Sequence, residues 1–276
     1  MARCQNRLNM INRRKFIQLS ALASTGLATT NFNFPSSKSH ILTLSFDDGF
    51  KKSFYRIAEI HENYGLSACL NVIATGHMKN FNTEPQWIPR EILGNFDDWN
   101  ALKVRGHEVM PHTWEHLNLT EIPEKKAKKN IDKCLAYFEK HLEGYQASEA
   151  VYNFAYNASN TELENFALER VKAVRTGGWL VLKDTMVNTL PINDHHGRLG
   201  CWGHGPDFCD NYVEQEVNKF LETEGGWLIL NLHGLDKEGW GPVSTKYLDA
   251  LLKRLVNIEK LAVLPTGVAL NKISQE

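Results

Sequence analysis

Long apolar runs are missing from this sequence beyond its N-terminus. No stretch there approaches the roughly 20 consecutive apolar residues of a membrane-spanning helix, so no integral membrane segment is expected. An excess of one charge is missing too. Lys and Arg number 31 against 32 Asp and Glu, for a formal net charge of -1. That balance argues against the basic footprint of a nucleic-acid-binding protein and against electrostatic attachment to a membrane surface. Cysteine is scarce, with five in 276 residues, too few for a scaffold built on disulfides. Internal repeats and low-complexity segments are absent after residue 40. What remains is 42% hydrophobic and 23% charged, enough apolar material for one good-sized core.

The N-terminus reads differently from the rest. Arg13-Arg14-Lys15 precedes a short run over 16–28 that is rich in Ala, Ser and Leu. Paired arginines ahead of such a run have the form of a twin-arginine export signal, although a basic surface helix would show the same residues. No cysteine closes the run, which speaks against a lipoprotein anchor. The expectation is a signal and linker over 1–39, a single domain over 40–276, and an exported protein, periplasmic or extracellular in a bacterium. Cys4 falls within the signal. Of the other four, Cys69 and Cys134 sit in apolar patterns and read as core thiols. Cys201 and Cys209 flank a loop where export would permit a disulfide.

From residue 41 strand and helix signals alternate. Strands are expected at 41–46, 66–74, 107–110, 151–155, 172–174, 227–232 and 261–264. Between them, 51–64 carries Phe54, Ile57, Ile60 and Tyr64 at helical spacing, and Pro89 opens a helix running to Gly106. Pro123 begins a long helix closed by Gly144, and Thr161-Glu162-Leu163-Glu164 has the form of a capping box. A helix is expected over 213–221, and Ser244 caps another reaching about 258. The stretch 188–210, rich in Gly, His and Asp, fits neither period and reads as a loop at the mouth. Repeated strand–helix units of this kind imply an α/β fold with a parallel sheet and outer helices, most economically a barrel of seven strands.

Three places in this pattern carry chemistry. Strand 41–46 ends in Asp47-Asp48-Gly49, where parallel α/β folds place their active residues. Adjacent carboxylates there can divide their work, one binding a metal and its neighbour acting as base, though a solvated Asp-Asp-Gly turn shows the same residues. His112 and His116 follow the third strand, and a spacing of four would bring both imidazoles to one side of a helical turn. Two imidazoles and a carboxylate suit a catalytic zinc. With eleven histidines in the chain, this spacing alone also arises by chance. His233 follows a buried strand and precedes a glycine, a good place for a general acid, or for a core histidine with its hydrogen bonds met. His195-His196 is a weaker candidate for a substrate contact.

Taken in order, Ser45-Phe46-Asp47-Asp48-Gly49, Gly106-His107-Glu108-Val109-Met110-Pro111-His112-Thr113-Trp114-Glu115-His116 and Leu228-Ile229-Leu230-Asn231-Leu232-His233 resemble the motifs of the polysaccharide deacetylases. This is the NodB-homology family, also called carbohydrate esterase family 4. The resemblance implies a distorted (β/α)7 barrel with parallel strands and outer helices. It implies one divalent metal ion on Asp48, His112 and His116, zinc first among the candidates, with Asp47 as catalytic base and His233 as catalytic acid. The implied reaction is hydrolysis of N- or O-acetyl groups on an acetylated oligo- or polysaccharide, releasing acetate.

One segment departs from the family pattern. Many members carry Phe-Ala-Tyr-Pro-Tyr-Gly after the fourth strand. Here Phe154-Ala155-Tyr156-Asn157-Ala158-Ser159 keeps only the first three residues. By position the oxyanion-binding amide falls to Ala158, with Tyr156 beside it. Arg175 resembles an arginine that orients the base, and would equally pass for a surface arginine. The other readings are a relative of this barrel acting on a non-carbohydrate amide, a non-catalytic glycan-binding relative, and a metal-binding protein without catalysis.

Overall fold

Strand β1 (His40–Phe46) is buried along its whole length, because it has partners on both edges and cover on both faces. A computed structural model of the chain describes residues 39–81, 88–183, 185–190 and 197–273, all within one unit, Pro35–Glu276. But for Ser39, the expected signal and linker lie outside the described residues, as does His195-His196. Along one edge β1 pairs in parallel with β7 (Gly226–Leu232) from His40↔Gly226 to Phe46↔Leu232. Its other edge is shared. Ser45 and Phe46 pair with β2 (Cys69–Val72), whereas His40 to Leu42 pair with the short β8 (Leu261–Val263).

The remaining strands extend from these. β3 (Glu108–Pro111) follows β2, while β6 (Arg198–Gly203), β5 (Ala173–Gly177) and β4 (Val151–Asn153) follow β7, every pairing being parallel. The order is therefore β3-β2-β1-β7-β6-β5-β4, with β8 off this path. No ladder joins β3 to β4 among the described residues. Asn153 bridges that seam, its Nδ2 donating to Pro111 O at 3.1 Å. The result is a nearly closed seven-stranded α/β barrel, as the sequence implies.

Helices cover the outside through apolar stripes. α1 (Lys51–Glu62) buries Phe54, Ile57, Ala58 and Ile60. α3 (Glu124–His141), following α2 (Phe96–Val104), buries Ala127, Ile131, Cys134, Leu135 and Phe138. After α4 (Thr161–Leu168), the short α5 (Gly178–Val181) and α6 (Cys209–Leu221), the stripe of α7 (Thr245–Leu255) is Leu248, Leu251, Leu252 and Leu255, and α8 (Thr266–Ile273) follows β8. No helix among the described residues is long and apolar enough to cross a membrane. The lumen, by contrast, is polar. Arg175 on β5 reaches Ser45 of β1 at 3.2 Å, and since β5 and β1 are not neighbours in the sheet, this contact crosses the barrel interior.

Several local expectations are corrected. Residues 198–203 form β6 rather than loop, so the seven barrel strands include β6, and 261–264 supplies the extra strand β8. Its two glycines hide β6 from a propensity reading. They are there for packing, since a Cβ on Gly200 would come within 2.6 Å of Leu182. The helix expected from Pro89 is broken. A 3-10 turn spans Arg90–Ile92, and α2 starts afresh at Phe96 because Asn95 and Asp98 form a reciprocal capping box. α4 is capped one residue earlier than expected, by Asn160 accepting from Leu163 N at 3.0 Å. Cys201 and Cys209 are both free and buried. Their thiols turn to different partners, Asn157 Oδ1 at 3.2 Å and His204 O at 3.2 Å, in place of a disulfide.

Candidate metal and catalytic site

The C-terminal ends of the strands meet at one mouth, and the loops there carry the chemistry. Asp48 follows β1 at φ 81, next to Gly49 at φ 90. An aspartate in that left-handed region is strained by about 1–3 kcal/mol, held here by β1 on one side and α1 on the other. His112 and His116 follow β3, but not on a helical turn. Their segment is irregular, with Thr113 at φ 63 and His116 at φ 53. It is pinned to the continuation of β2, where Ala74 N donates to Thr113 O and Thr75 N to Trp114 O, both at 3.1 Å. Thr113 Oγ1 also accepts from His116 N at 3.0 Å. The loop, rather than helical periodicity, makes the two imidazoles converge, with ring centroids 5.1 Å apart.

Their ligand atoms face one carboxylate oxygen. Asp48 Oδ1 lies 3.2 Å from His116 Nε2 and 3.5 Å from His112 Nε2. It is buried and accepts no hydrogen bond among the described residues. Burial alone would raise the Asp48 carboxyl, but the facing imidazoles hold it well below the usual carboxylate range. His112 Nδ1 lies 3.2 Å from the Asn153 carbonyl. A carbonyl only accepts, so Nδ1 carries the proton and Nε2 presents a lone pair. An orphaned carboxylate oxygen and a nitrogen from each of the two imidazoles, all within 4.8 Å of one another, fit a divalent cation. Three protein ligands leave positions open for water and substrate, as catalytic zinc requires.

Asp47, one residue back, is treated in the opposite way. Its Oδ1 accepts from Asn71 Nδ2 at 2.8 Å, and its Oδ2 from Arg175 Nη2 and Asn231 Nδ2, both at 2.6 Å. Arg175 is fully buried rather than on the surface. Burial pushes the Asp47 carboxyl up, and Arg175, with smaller pulls from His112 and His233, brings it below the ordinary value. The asparagines form a relay. Asn153 Nδ2 donates to Asn71 Oδ1 at 2.9 Å, and Asn157 Nδ2 donates to Asn231 Oδ1 at 3.0 Å. The motifs do not include Asn71 or Asn153, and Asn231 stands in the third of them without a role attached to it. A signal was present all the same, since asparagine is a poor strand former and costly to bury without partners.

His233 follows β7 on the cavity wall, its ring edge-on to Trp240 at 5.6 Å and its Nδ1 without a hydrogen bond among the described residues. Burial lowers its imidazole, while Asp48 and Asp47 pull the other way. Tyr156 and Asn157 occupy consecutive left-handed positions, φ 58 and 52, and Tyr156 sits 4.8 Å from the His116 ring. Both line the mouth cavity, of about 1070 Å³, with Asp47, Asp48, His112, His116 and His233. Ala158 does not line it. The amide expected from Ala158 donates to Ala155 O at 3.1 Å, so an oxyanion would have to compete with that bond.

Comparison with solved structures gives the same barrel at low identity. A Mycobacterium smegmatis protein carrying the polysaccharide deacetylase family name superposes with a TM-score of 0.61 at 13% identity, covering 88% of this chain and 92% of that one. The Xyl-CE4 domain of a multidomain xylanase from the hindgut metagenome of Trinervitermes trinervoides gives 0.53 at 16% identity, covering 85% and 91%. A family 4 carbohydrate esterase from Streptomyces lividans, solved with acetate, gives 0.50 at 13% identity, covering 83% and 92%. At such identities these likenesses speak for the fold alone. No curated protein matches this sequence significantly. In sequence, residues 35–169 match the family described as polysaccharide deacetylase, a span that includes Asp47, Asp48, His112 and His116. The chain belongs to the polysaccharide deacetylase family.

Proposed function

We propose that this protein is a metal-dependent deacetylase that hydrolyses N- or O-acetyl groups on a carbohydrate and releases acetate. The observation that carries the reading is the bare Asp48 Oδ1 facing His112 Nε2 and His116 Nε2, with Asp47 and His233 lining the same cavity. A divalent ion on these three residues, zinc being the first candidate, would bring the pKa of a water from 15.7 towards about 7 and polarise the acyl carbonyl. Asp47 takes the proton of the attacking water. Its Oδ1 accepts one hydrogen bond where Oδ2 accepts two, so Oδ1 has the spare lone pair. Arg175, Asn71 and Asn231 keep that carboxylate ionised and aimed. His233 gives a proton to the leaving amine or alcohol.

A second reading, a non-catalytic glycan-binding relative, draws on one observation, the Ala158 amide already engaged with Ala155 O. Family membership alone does not choose between the two, since a solved relative, BA3943, is described as a CE4 family pseudoenzyme, at a TM-score of 0.53 and 13% identity. Acetate release from a panel of acetylated glycans, with and without chelator, decides. Release that stops with chelator and returns with added zinc supports the deacetylase. Glycan binding without release supports the second reading. Export by a twin-arginine route remains part of the proposal, on the strength of Arg13-Arg14 and the run behind them.

A further inference from the structure

Helix α1 starts without a cap of its own. Its N-cap residue, Phe50, offers no side-chain hydrogen bond, its first turn holds no acidic residue, and that turn opens on Lys51-Lys52. The first amides of a helix need acceptors, and cations placed there oppose its dipole. The acceptor comes from a distant part of the chain. Glu238 Oε2 accepts from Ser53 N at 3.1 Å and also from Ser53 Oγ. Ser53 is buried, and its Oγ in turn accepts from Leu235 N at 2.9 Å. One carboxylate and one hydroxyl thus fasten the loop after β7 to the first turn of α1.

The two segments so joined carry the proposed chemistry. α1 follows closely on Asp47-Asp48, and the loop opens with His233. His233 is anchored on both sides of itself. Before it, Leu232 O accepts from Asp47 N at 2.9 Å, and after it Leu235 N reaches Ser53. The imidazole has little else to hold it. Its Nδ1 makes no hydrogen bond among the described residues, and its ring meets Trp240, two residues beyond Glu238, at 87°. The ring therefore sits where the loop puts it. That loop is folded tightly on itself and on Phe50. Glu238 N donates to Leu235 O at 3.0 Å. A Cβ on Gly234 would run into the Glu238 carbonyl, and one on Gly239 would come within 2.6 Å of the Phe50 ring.

We propose that Glu238 is a positioning residue for His233, an inference that rests on the deacetylase reading. By capping α1 from the β7 loop, it fixes the imidazole against the Asp47-Asp48 segment, so that the proton for the leaving group is delivered where the attack takes place. Glu238 is not among the residues lining the cavity, so it acts through His233 and not on a substrate.

The test is a mutant cycle in the full-length protein. Acetate release is measured on the acetylated glycan that the wild-type protein turns over fastest, beside hydrolysis of an aryl acetate. An aryl oxide leaves with little need of a proton, so the aryl ester reports on the metal and Asp47 more than on His233. Glu238→Ala should slow the glycan reaction about tenfold, a part of the roughly 10²–10⁴-fold that a positioned acid supplies. The loss should fall mainly on kcat, with much less on the aryl ester and none in metal content. Glu238→Gln keeps an acceptor oxygen for Ser53 and should restore most of the glycan rate. In a His233→Ala background Glu238→Ala should cost nothing more, because the side chain it positions is gone. Amide hydrogen exchange adds a measurement without turnover: Leu235 should exchange faster in Glu238→Ala, and β7 should not. Equal losses on the two substrates, a further loss in the His233→Ala background, an unchanged glycan rate or unchanged Leu235 exchange overturns the inference. Failure of the deacetylase reading looks different: the wild-type protein would itself release no acetate, and the inference falls with it whatever the exchange pattern.

Discussion

Two layers of the barrel, one above the other, follow opposite rules. In the lumen, Asp47, just past the end of β1, and Ser45, Asn71, Asn153, Arg175 and Asn231, all on regular strands, form a connected hydrogen-bond network. At the rim, Asp48, His112 and His116 turn ligand atoms towards one another, and Asp48 Oδ1 accepts no hydrogen bond among the described residues. Two of the three, with Thr113, have positive φ. A buried network whose groups are mostly paired (Asn153 Oδ1 and Arg175 Nε are its exceptions among the described residues) rigidifies what it holds, whereas facing bare polar atoms cost free energy unless something fills the space between them. The contrast explains how neighbouring aspartates can do different work. Asp47 is locked and ionised by protein groups, and Asp48 is left for a cation.

The largest effect should come from the rim. Alanine at both His112 and His116 removes two of three ligands, so the expected outcome is loss of bound divalent ion and of acetate release. Elemental analysis of the purified protein checks it, and full metal content in the double variant would falsify the site.

Next come the two aspartates set against each other. Asp48→Asn should weaken metal binding, because a neutral amide replaces the charged ligand oxygen. Asp47→Asn should keep the metal and slow the reaction by about 10²–10⁴-fold, the usual contribution of a general base. Metal content measured beside rates on an acetylated glycan sharpens or reverses the assignment. If Asp47→Asn loses the metal and Asp48→Asn keeps it, the layers have been assigned the wrong way round.

Asn231 tests the lumen layer by itself. Asn231→Ala deletes one of two donors on Asp47 Oδ2 and leaves the Asn157 amide without its acceptor. Stability should fall by about 1–3 kcal/mol, the cost of unmet buried polar groups. With one donor fewer, the Asp47 carboxyl should titrate higher, so the acid limb of the rate profile should move to higher pH at unchanged metal content. A profile that stays in place would mean that Arg175 and Asn71 are enough to set the base.

The rim was more legible in the sequence than the lumen. Asp47, Asp48, His112, His116 and His233 stand out because titratable residues at strand ends are conspicuous, and Arg175 only through its resemblance to a base-orienting arginine of the family, since it lies in the middle of β5. The asparagine network was not legible, since its meaning lies in contacts between β1, β2, β4, β5 and β7 that no local pattern encodes. The seven-strand barrel followed from alternating periods, yet one strand was misplaced. Gly200 and Gly203 lower the strand propensity of β6 for the sake of close packing, whereas Leu261–Val263 has strand propensity but pairs only with the lower half of β1. The convergence of His112 and His116 was anticipated for the wrong local reason, because backbone bonds to residues 74 and 75 shape that loop.

The smallest effect extends the comparison to a histidine outside both layers. His61 on α1 is buried, and its Nδ1, 2.7 Å from the Ile57 carbonyl, must carry the proton it donates. It is paired like a lumen residue but has no carboxylate beside it, so burial lowers its pKa from 6.5 to about 4. The unfolded chain, with the ordinary value, therefore binds the proton first as pH falls. Stability from keeping this ring neutral is fully present above pH 6.5, declines between 6.5 and 4, and levels off below that. The slope in the window approaches about 1 kcal/mol per pH unit. His40, His77 and His107 are lowered in the same direction and add to it, so the His61 share is the difference from a variant. In His61→Leu, urea unfolding midpoints measured from pH 7 to pH 4.5 should fall less steeply than in the wild type. Parallel slopes would mean that the buried ring is already protonated in the folded protein, and that a buried imidazole here needs no carboxylate to hold charge.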